Sequence, residues 1–563
     1  MKKNRSIINK RRWITLVTMG FACVISVSAP FSVLGIQNMK TQVIVLTVGN
    51  PLAGSINKID NNKQTSTSKL AFIDVNVACE KGDYLTGYID NGNNRIALDI
   101  IDSEGNLLRR LVDHKRGKHS FYSVAENCDE TWRLSGSGSY QIVLENRISL
   151  KDQTPDKQDT LLSPKISALN NVLKTGGTTH DFWLAVEKLG TPLVEETSEG
   201  TVMTFLARGD YNNVKLIGAP SNNHQSLEKL ENSDTWYKSF IVPADTHLSY
   251  QIAPNVPKPP FKGFARRVAL KAVAQVDPYN KSPWPSSAID KYTQKSTIAL
   301  NDKNKNNGLM PDIEDPKGQL STFDFTSTAL GNTRSITIYT PDIKNIDKKN
   351  VLLLYVFDAQ QYKDLVRLPA ISDKLIATGK IPPVITVFIS NPDRDARARE
   401  LPANNVFADV LAKELAPKIN KRLSMDIPKE RTIIAGSSYG GLAATTIALR
   451  HPEVFGNVIS MSGSFWWGPK SNFDKNKHFV AAEVIKMDKK GVRFFLSAGV
   501  FETSRGNSGG ILETNRHLRD VLLAKGYEVT HQEYSAGHDY FAWRGIIADG
   551  LISLFPRNKA SEK

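Results

Sequence analysis

The stretch from Arg431 to Phe455 constrains the fold more than any other part of this chain. A short apolar run, Thr432 to Ala435, reads as a buried strand. Gly436-Ser437-Ser438-Tyr439-Gly440 follows, a G-x-S-x-G pattern, and then an Ala- and Leu-rich helix from Gly441 to Leu449, stopped before Pro452. Strand, tight turn and helix are the context that a nucleophile elbow requires. Glycines at 436 and 440 let neighbouring backbones approach closely, so that Ser438 projects from the end of a sheet beside a helix N-terminus that favours developing negative charge. A second match, Gly506-Asn507-Ser508-Gly509-Gly510, has no apolar strand leading into it and reads as loop.

The residues around the elbow alternate between strands and helices. Ser335–Tyr339, Val351–Phe357, Val384–Ile389, Val458–Met461, Phe494–Ala498 and Val529–Tyr534 read as strands. Val406–Leu423, Thr514–Lys525 and Phe541–Phe555 read as helices. This order predicts a mostly parallel, doubly wound sheet, an α/β-hydrolase domain over 321–558.

A serine hydroxyl is a weak nucleophile and needs a base. In this fold the base follows the last strand, and Ser535-Ala536-Gly537-His538-Asp539 stands there, which singles out His538 among ten histidines. The acid is expected after the strand Phe494–Ala498, where Glu502 lies, with Asp539 and Glu533 as alternatives. The oxyanion hole is expected from the backbone N–H of Tyr439 and one from the loop after Val351–Phe357, at Gln360 or a neighbour.

Upstream, residues 37–150 show short strand-like runs (Val43–Leu46, Phe72–Val77, Tyr84–Ile89, Ile96–Ile101, Tyr140–Glu145) separated by turn signals such as Asp90-Asn91-Gly92. They predict a β-sandwich module that carries no chemistry of its own. A linker over 150–165 and helical character from Ile166 to Lys188 come next. A second β-sandwich domain is expected over 165–275 and a polar linker over 276–320.

The N-terminus has a basic head and an apolar stretch from Trp13 to Ile36. Residues 1–36 therefore read as an export signal, with an uncleaved signal anchor as the other reading. Of three cysteines, Cys23 lies in that segment; Cys79 and Cys128 form an even pair, and an exported chain predicts a disulfide between them. No His/Cys cluster has metal-ligand spacing, so neither a metal nor another cofactor is expected. The chain carries 72 basic and 57 acidic residues. That balance suits anionic partners, and the lack of a basic-aromatic motif places anionic small molecules ahead of nucleic acid.

Taken together the motifs resemble the enterochelin esterase family over roughly 180–555. The resemblance rests on Phe357-Asp358-Ala359-Gln360, Arg397-Ala398-Arg399-Glu400-Leu401, the elbow, Ser462-Gly463-Ser464-Phe465-Trp466-Trp467, Gly537-His538-Asp539 with Trp543-Arg544, and, upstream, the segment 213–254 with Asp234-Thr235-Trp236. It implies hydrolysis of the backbone esters of a catecholate trilactone siderophore through an acyl-enzyme. It also implies that Arg397 contacts the catecholate and that Trp466 and Trp467 wall the catechol rings. The residues alone leave other readings open: core packing for the two tryptophans, and an ion pair with Glu400 for Arg397. The family pattern requires neither the export signal nor the module 37–150; together they point to a periplasmic or surface-associated esterase with a transient link to siderophore uptake proteins. Two other functions compete: a general exported carboxylesterase of feruloyl or acetyl type, and a siderophore-binding protein that keeps the fold without turnover.

Overall fold

The computed structural model describes residues 44–57, 71–127, 130–150, 161–221, 224–257, 264–300, 315–342, 350–469, 478–504 and 509–556. The export segment, Cys128 and Ser508 lie outside these residues; Cys79, the other half of the expected disulfide, is half-buried.

In the first module a five-stranded and a four-stranded sheet share one core, which includes Ile89, Leu98, Phe121, Trp132, Leu134 and Ile142. Alternation builds it: along Thr131–Gly136 every second residue is buried. The expected runs from Phe72 onward are strands, but Leu52–Ile56, Leu107–Lys115, Lys118–Val124 and Thr131–Gly136 were not legible in the sequence. Leu107–Lys115 is rich in charge, and register shifts in its pairing with Ile96–Ile101 blur its period.

The module is fastened to the next domain. Tyr84 and Val124 share a buried cluster with Ala253, Leu270 and Val273. Arg109 donates from Nη1 to the Ala272 carbonyl at 2.5 Å, and its guanidinium lies 3.7 Å from the centre of the Tyr292 ring.

In the second domain two halves of a sheet face each other across one core, with Phe205 and Trp236 on one side and Leu216, Leu248 and Tyr250 on the other. Two helices, Pro164–Lys174 and His180–Leu189, precede one continuous eight-stranded sheet. Ser226–Lys229 joins its halves by pairing with Thr235–Val242 on one side and Val214–Gly218 on the other. Part of the sheet buries Leu206 and Tyr237 against Ile166, Leu169, Trp183 and Val186 of the helices. The linker expected over 276–320 is corrected as far as residue 300, since Pro283–Trp284 and Lys295–Ala299 extend the sheet. The polar residues that suggested a linker are hydrogen-bonded instead. Asp277, almost fully buried, accepts from the Thr191 hydroxyl at 2.6 Å and the Tyr250 hydroxyl at 2.8 Å.

The third domain holds an eight-stranded sheet of β1 (Gln319–Ser327), β2 (Asn332–Thr340), β3 (Leu352–Phe357), β4 (Val384–Ile389), β5 (Thr432–Ser437), β6 (Asn457–Met461), β7 (Arg493–Gly499) and β8 (Glu528–Tyr534). The spatial order is β1-β2-β4-β3-β5-β6-β7-β8. Strands β3 to β8 run parallel, while β2 is antiparallel to β1 and β4. Every residue of β3, β4 and β5 is buried, as continuous apolar runs covered on both faces require. One face packs on Phe407, Leu411, Leu442 and Leu518, the other on Ile371, Leu375, Ile547 and Leu551. The helix expected over Val406–Leu423 is divided into Asn405–Val410 and Ala416–Leu423 by a π turn, Leu411–Leu415, just before Pro417, which has no N–H to give.

Arg334 and Glu400, both buried, pair at 2.6 Å, and Asn332 donates to the other Glu400 oxygen at 2.6 Å. Glu400→Ala would leave a buried guanidinium without its anion. A stability loss of about 3–5 kcal/mol is expected, read from the urea midpoint at unchanged slope.

Candidate active site

Ser438 links β5 to the helix Tyr439–Arg450 with φ 58° and ψ −121°. A non-glycine residue at positive φ is strained, and the surroundings fix it there. Its N–H donates to the Met461 carbonyl at 2.9 Å, and its carbonyl accepts from the Ser464 N–H at 3.1 Å. A Cβ added at Gly436 would lie 2.6 Å from the Gly440 carbonyl carbon, so the elbow closes only around glycine. Gly436→Ala is expected to cost about 1–3 kcal/mol of stability. It should also slow labelling of Ser438 by a fluorophosphonate, which thermal melting and mass spectrometry would read together.

His538 and Glu502, 36 residues apart in sequence, meet at 2.5 Å between Nδ1 and Oε1. In the tautomer this bond requires, Nδ1–H donates and Nε2 is left as the acceptor. Glu502 is buried; its Oε2 accepts from the Gly499 N–H at 2.6 Å and the Ser462 hydroxyl at 2.7 Å. Trp543 donates from Nε1 to Ser462 Oγ at 3.0 Å, and its ring meets the His538 imidazole edge-on at 4.9 Å. Imidazole, carboxylate, hydroxyl and indole thus form a closed ring of contacts around the base. The Ser438 hydroxyl lies 3.3 Å from Ser464 Oγ, and among the described residues it makes no direct hydrogen bond to His538. Unliganded sites often hold that contact long.

The alternative acids are engaged elsewhere. Asp539 accepts from Ala542 N–H with Oδ1, capping the helix Tyr540–Leu554, and from Ser249 N–H with Oδ2. Glu533 binds the Arg516 guanidinium through both oxygens.

The loop after β3 lies against the start of the helix that follows Ser438. A Cβ on Gly440 would be 3.5 Å from Phe357 Cβ and 3.8 Å from Asp358 Oδ2. The start of that helix, whose first N–H is that of Tyr439, therefore packs against Phe357 and the Asp358 side chain at the end of β3. Gln360 itself is exposed and opens a π turn over Gln361–Leu365.

Arg397 does not pair with Glu400. It grips buried Asp358 through Nε at 2.6 Å and Nη2 at 2.8 Å. Burial works to lower its pKa, but the bond to Asp358 outweighs burial and holds the guanidinium above its ordinary range. The guanidinium lies 6.0 Å from the Tyr439 ring, which in turn lies 6.1 Å from Trp466. Cation and two rings therefore form a row beside the elbow. Trp467 turns away, meeting Phe479 edge-on at 5.8 Å and packing on the core. Arg544 lies 5.7 Å from the Trp284 ring; burial, aided by Arg367, pushes it down to about 10, so it stays charged at neutral pH.

Sequence reasoning brought Ser438, His538, Glu502, Tyr439 and Arg397 to one place. It quoted Ser462, Ser464 and Trp543 inside motifs but assigned them no role. Their position after β6 and at the first turn of the last helix was the available signal.

Residues 327–554 match the family described as putative esterase, and residues 202–307 match the enterochelin esterase N-terminal family. The iron(III) enterobactin esterase of Dickeya dadantii is 30% identical over 402 residues, covering 66% of this chain and 91% of that one. The chain belongs to the enterochelin esterase family. A second relative, the iron(III) salmochelin esterase of Escherichia coli O6:H1, is 27% identical over 412 residues, covering 69% of this chain and 96% of the relative. The fold is also that of the ferric enterobactin esterase from Salmonella typhimurium, with a TM-score of 0.55 at 24% identity over 65% of this chain and 96% of that structure. Family membership makes this chain an α/β-hydrolase-like esterase with a family N-terminal domain before it.

Proposed function

We propose that this protein is an exported serine esterase that hydrolyses the ester bonds of a catecholate trilactone siderophore, or of a linear relative, through an acyl-enzyme. The reaction is carried by the 2.5 Å His538–Glu502 pair beside the strained Ser438 elbow. The substrate class is supported by relatives that are enterobactin and salmochelin esterases.

In this reading His538 Nε2 takes the proton of Ser438 Oγ as that oxygen attacks the carbonyl of one serine unit. Charge on the former carbonyl oxygen falls to the N–H of Tyr439 and one from the Asp358–Gln360 loop. The side-chain oxygen of the neighbouring serine unit leaves with the proton held by His538. Water, deprotonated by the same nitrogen, then releases the acid and restores Ser438. Glu502 keeps Nε2 free and stabilises the imidazolium. The row Arg397–Tyr439–Trp466 offers a cation and two aromatic faces to a catecholate. Trp467, with its ring on Phe479, takes a packing role instead.

Residues 1–36 support export, which would place the enzyme in the periplasm beside siderophore uptake proteins. Incubating the mature protein with ferric and iron-free trilactone, with chromatography of the products, tests the whole reading. Linear trimers or monomers are expected. Turnover of feruloyl or acetyl esters alone would move the assignment to a general carboxylesterase. Tight siderophore binding without turnover would make the protein a capture protein.

A further inference from the structure

The turn that carries His538 is held from outside its own domain. A Cβ added at Gly537 would lie 2.4 Å from Ala219 Cβ, the residue after the strand Val214–Gly218. Ser535 donates its hydroxyl to Asp245 Oδ1 at 2.6 Å, and its carbonyl accepts from the His247 N–H at 3.0 Å. Asp539 Oδ2 accepts from the Ser249 N–H at 3.3 Å. Each of these partners belongs to the eight-stranded domain, on or beside the strand His247–Pro254. The acid's loop is held too. Phe501, next to Glu502, packs on that domain's core with Ala219, Leu248 and Tyr250, and its N–H donates to the Ala536 carbonyl at 3.3 Å.

We infer that the eight-stranded domain is a clamp on the catalytic loops: Ala219, Asp245, His247 and Ser249 are positioning residues that seat the turn Ser535–Asp539, and with it His538, against Glu502. The inference rests on the catalytic reading of Ser438, His538 and Glu502. The physical reason for such a clamp is exposure. The imidazole side chain is still 36% exposed with that domain in place, so packing on the ring itself does not hold it, and its position is set by the buried residues on either side, Gly537 and Asp539. A base displaced by about 1 Å loses about 100-fold in rate. Three anchors on successive parts of a five-residue turn prevent that displacement.

The test is a double-mutant cycle in the full chain. Gly537→Ala drives a methyl into Ala219, whereas Ala219→Gly removes the obstructing carbon and leaves the next atoms at 3.5 Å, ordinary contact. The readouts are the second-order rate of Ser438 labelling by a fluorophosphonate, which does not depend on the natural substrate, and kcat and KM on the trilactone. Gly537→Ala is expected to lower the labelling rate and kcat by about 100-fold, with little change in KM. In the Ala219→Gly background the same substitution should cost less than about threefold. Equal losses in both backgrounds, or no loss in either, would overturn the clamp.

A variant that adds no volume keeps the question open if Gly537→Ala unfolds. Asp245→Ala should slow labelling about fivefold, with rescue in Asp245→Asn, which retains an acceptor oxygen. Wild-type labelling in Asp245→Ala would equally overturn the inference. His538→Ala separates the two levels: if it labels as fast as wild type, the catalytic reading fails, not the clamp alone.

Discussion

Ser438→Ala should lower kcat on the trilactone by about 10⁶-fold while the protein still binds it. The size follows from what is lost. Without Oγ no acyl-enzyme forms, and the intact imidazole can only activate water against a carbonyl positioned for another attacker. The residual rate would come from the backbone donors and from binding. Product chromatography together with equilibrium binding reads both halves. A variant that still releases linear trimers at a wild-type rate would remove Ser438 from the reaction and send the search for the nucleophile elsewhere.

Glu502→Gln should lower kcat by about 10⁴-fold. The effect comes through a tautomer. Two donors, the Gly499 N–H and the Ser462 hydroxyl, converge on Oε2. The amide oxygen of a glutamine is the group that satisfies them, which turns its NH₂ toward His538 Nδ1. The imidazole must then accept at Nδ1 and carry its proton on Nε2, where it cannot receive one from Ser438. Activity should recover as pH rises, because hydroxide takes over the work of the base. A profile parallel to that of the wild type, with a small uniform loss, would show that Glu502 does not hold the tautomer.

What the sequence disclosed and what it hid follow the range of the interactions. The elbow was legible because its strand, its glycines and its helix are contiguous, and each has a local reason to be there. His538 was legible because a Gly turn between the last strand and the last helix leaves few candidates. Glu502 could be placed after β7, but its choice over Asp539 and Glu533 needed the structure, since their partners Ser249 and Arg516 decide it. Interactions spanning long sequence gaps were hidden. Trp543 reaches Ser462 across 81 positions and Arg397 reaches Asp358 across 39. The strand Lys295–Ala299 was hidden for another reason. Its polar neighbourhood reads as linker until Asp277 and Asn280 are seen spending those polar groups on hydrogen bonds inside the domain.

The seam at Arg109 bears on how the chain acquires its shape. Its two sides are far apart in sequence: Arg109 reaches the Ala272 carbonyl across 163 positions. A chain made from its N-terminus completes the first module before residues 264–273 exist to receive it. During that interval the surface around Tyr84 and Val124 stays wet and apolar, and a guanidinium destined for burial stands in water. Ring closure over so long a span is slow. The nascent protein therefore passes through a stage with a finished head and an unfinished neck.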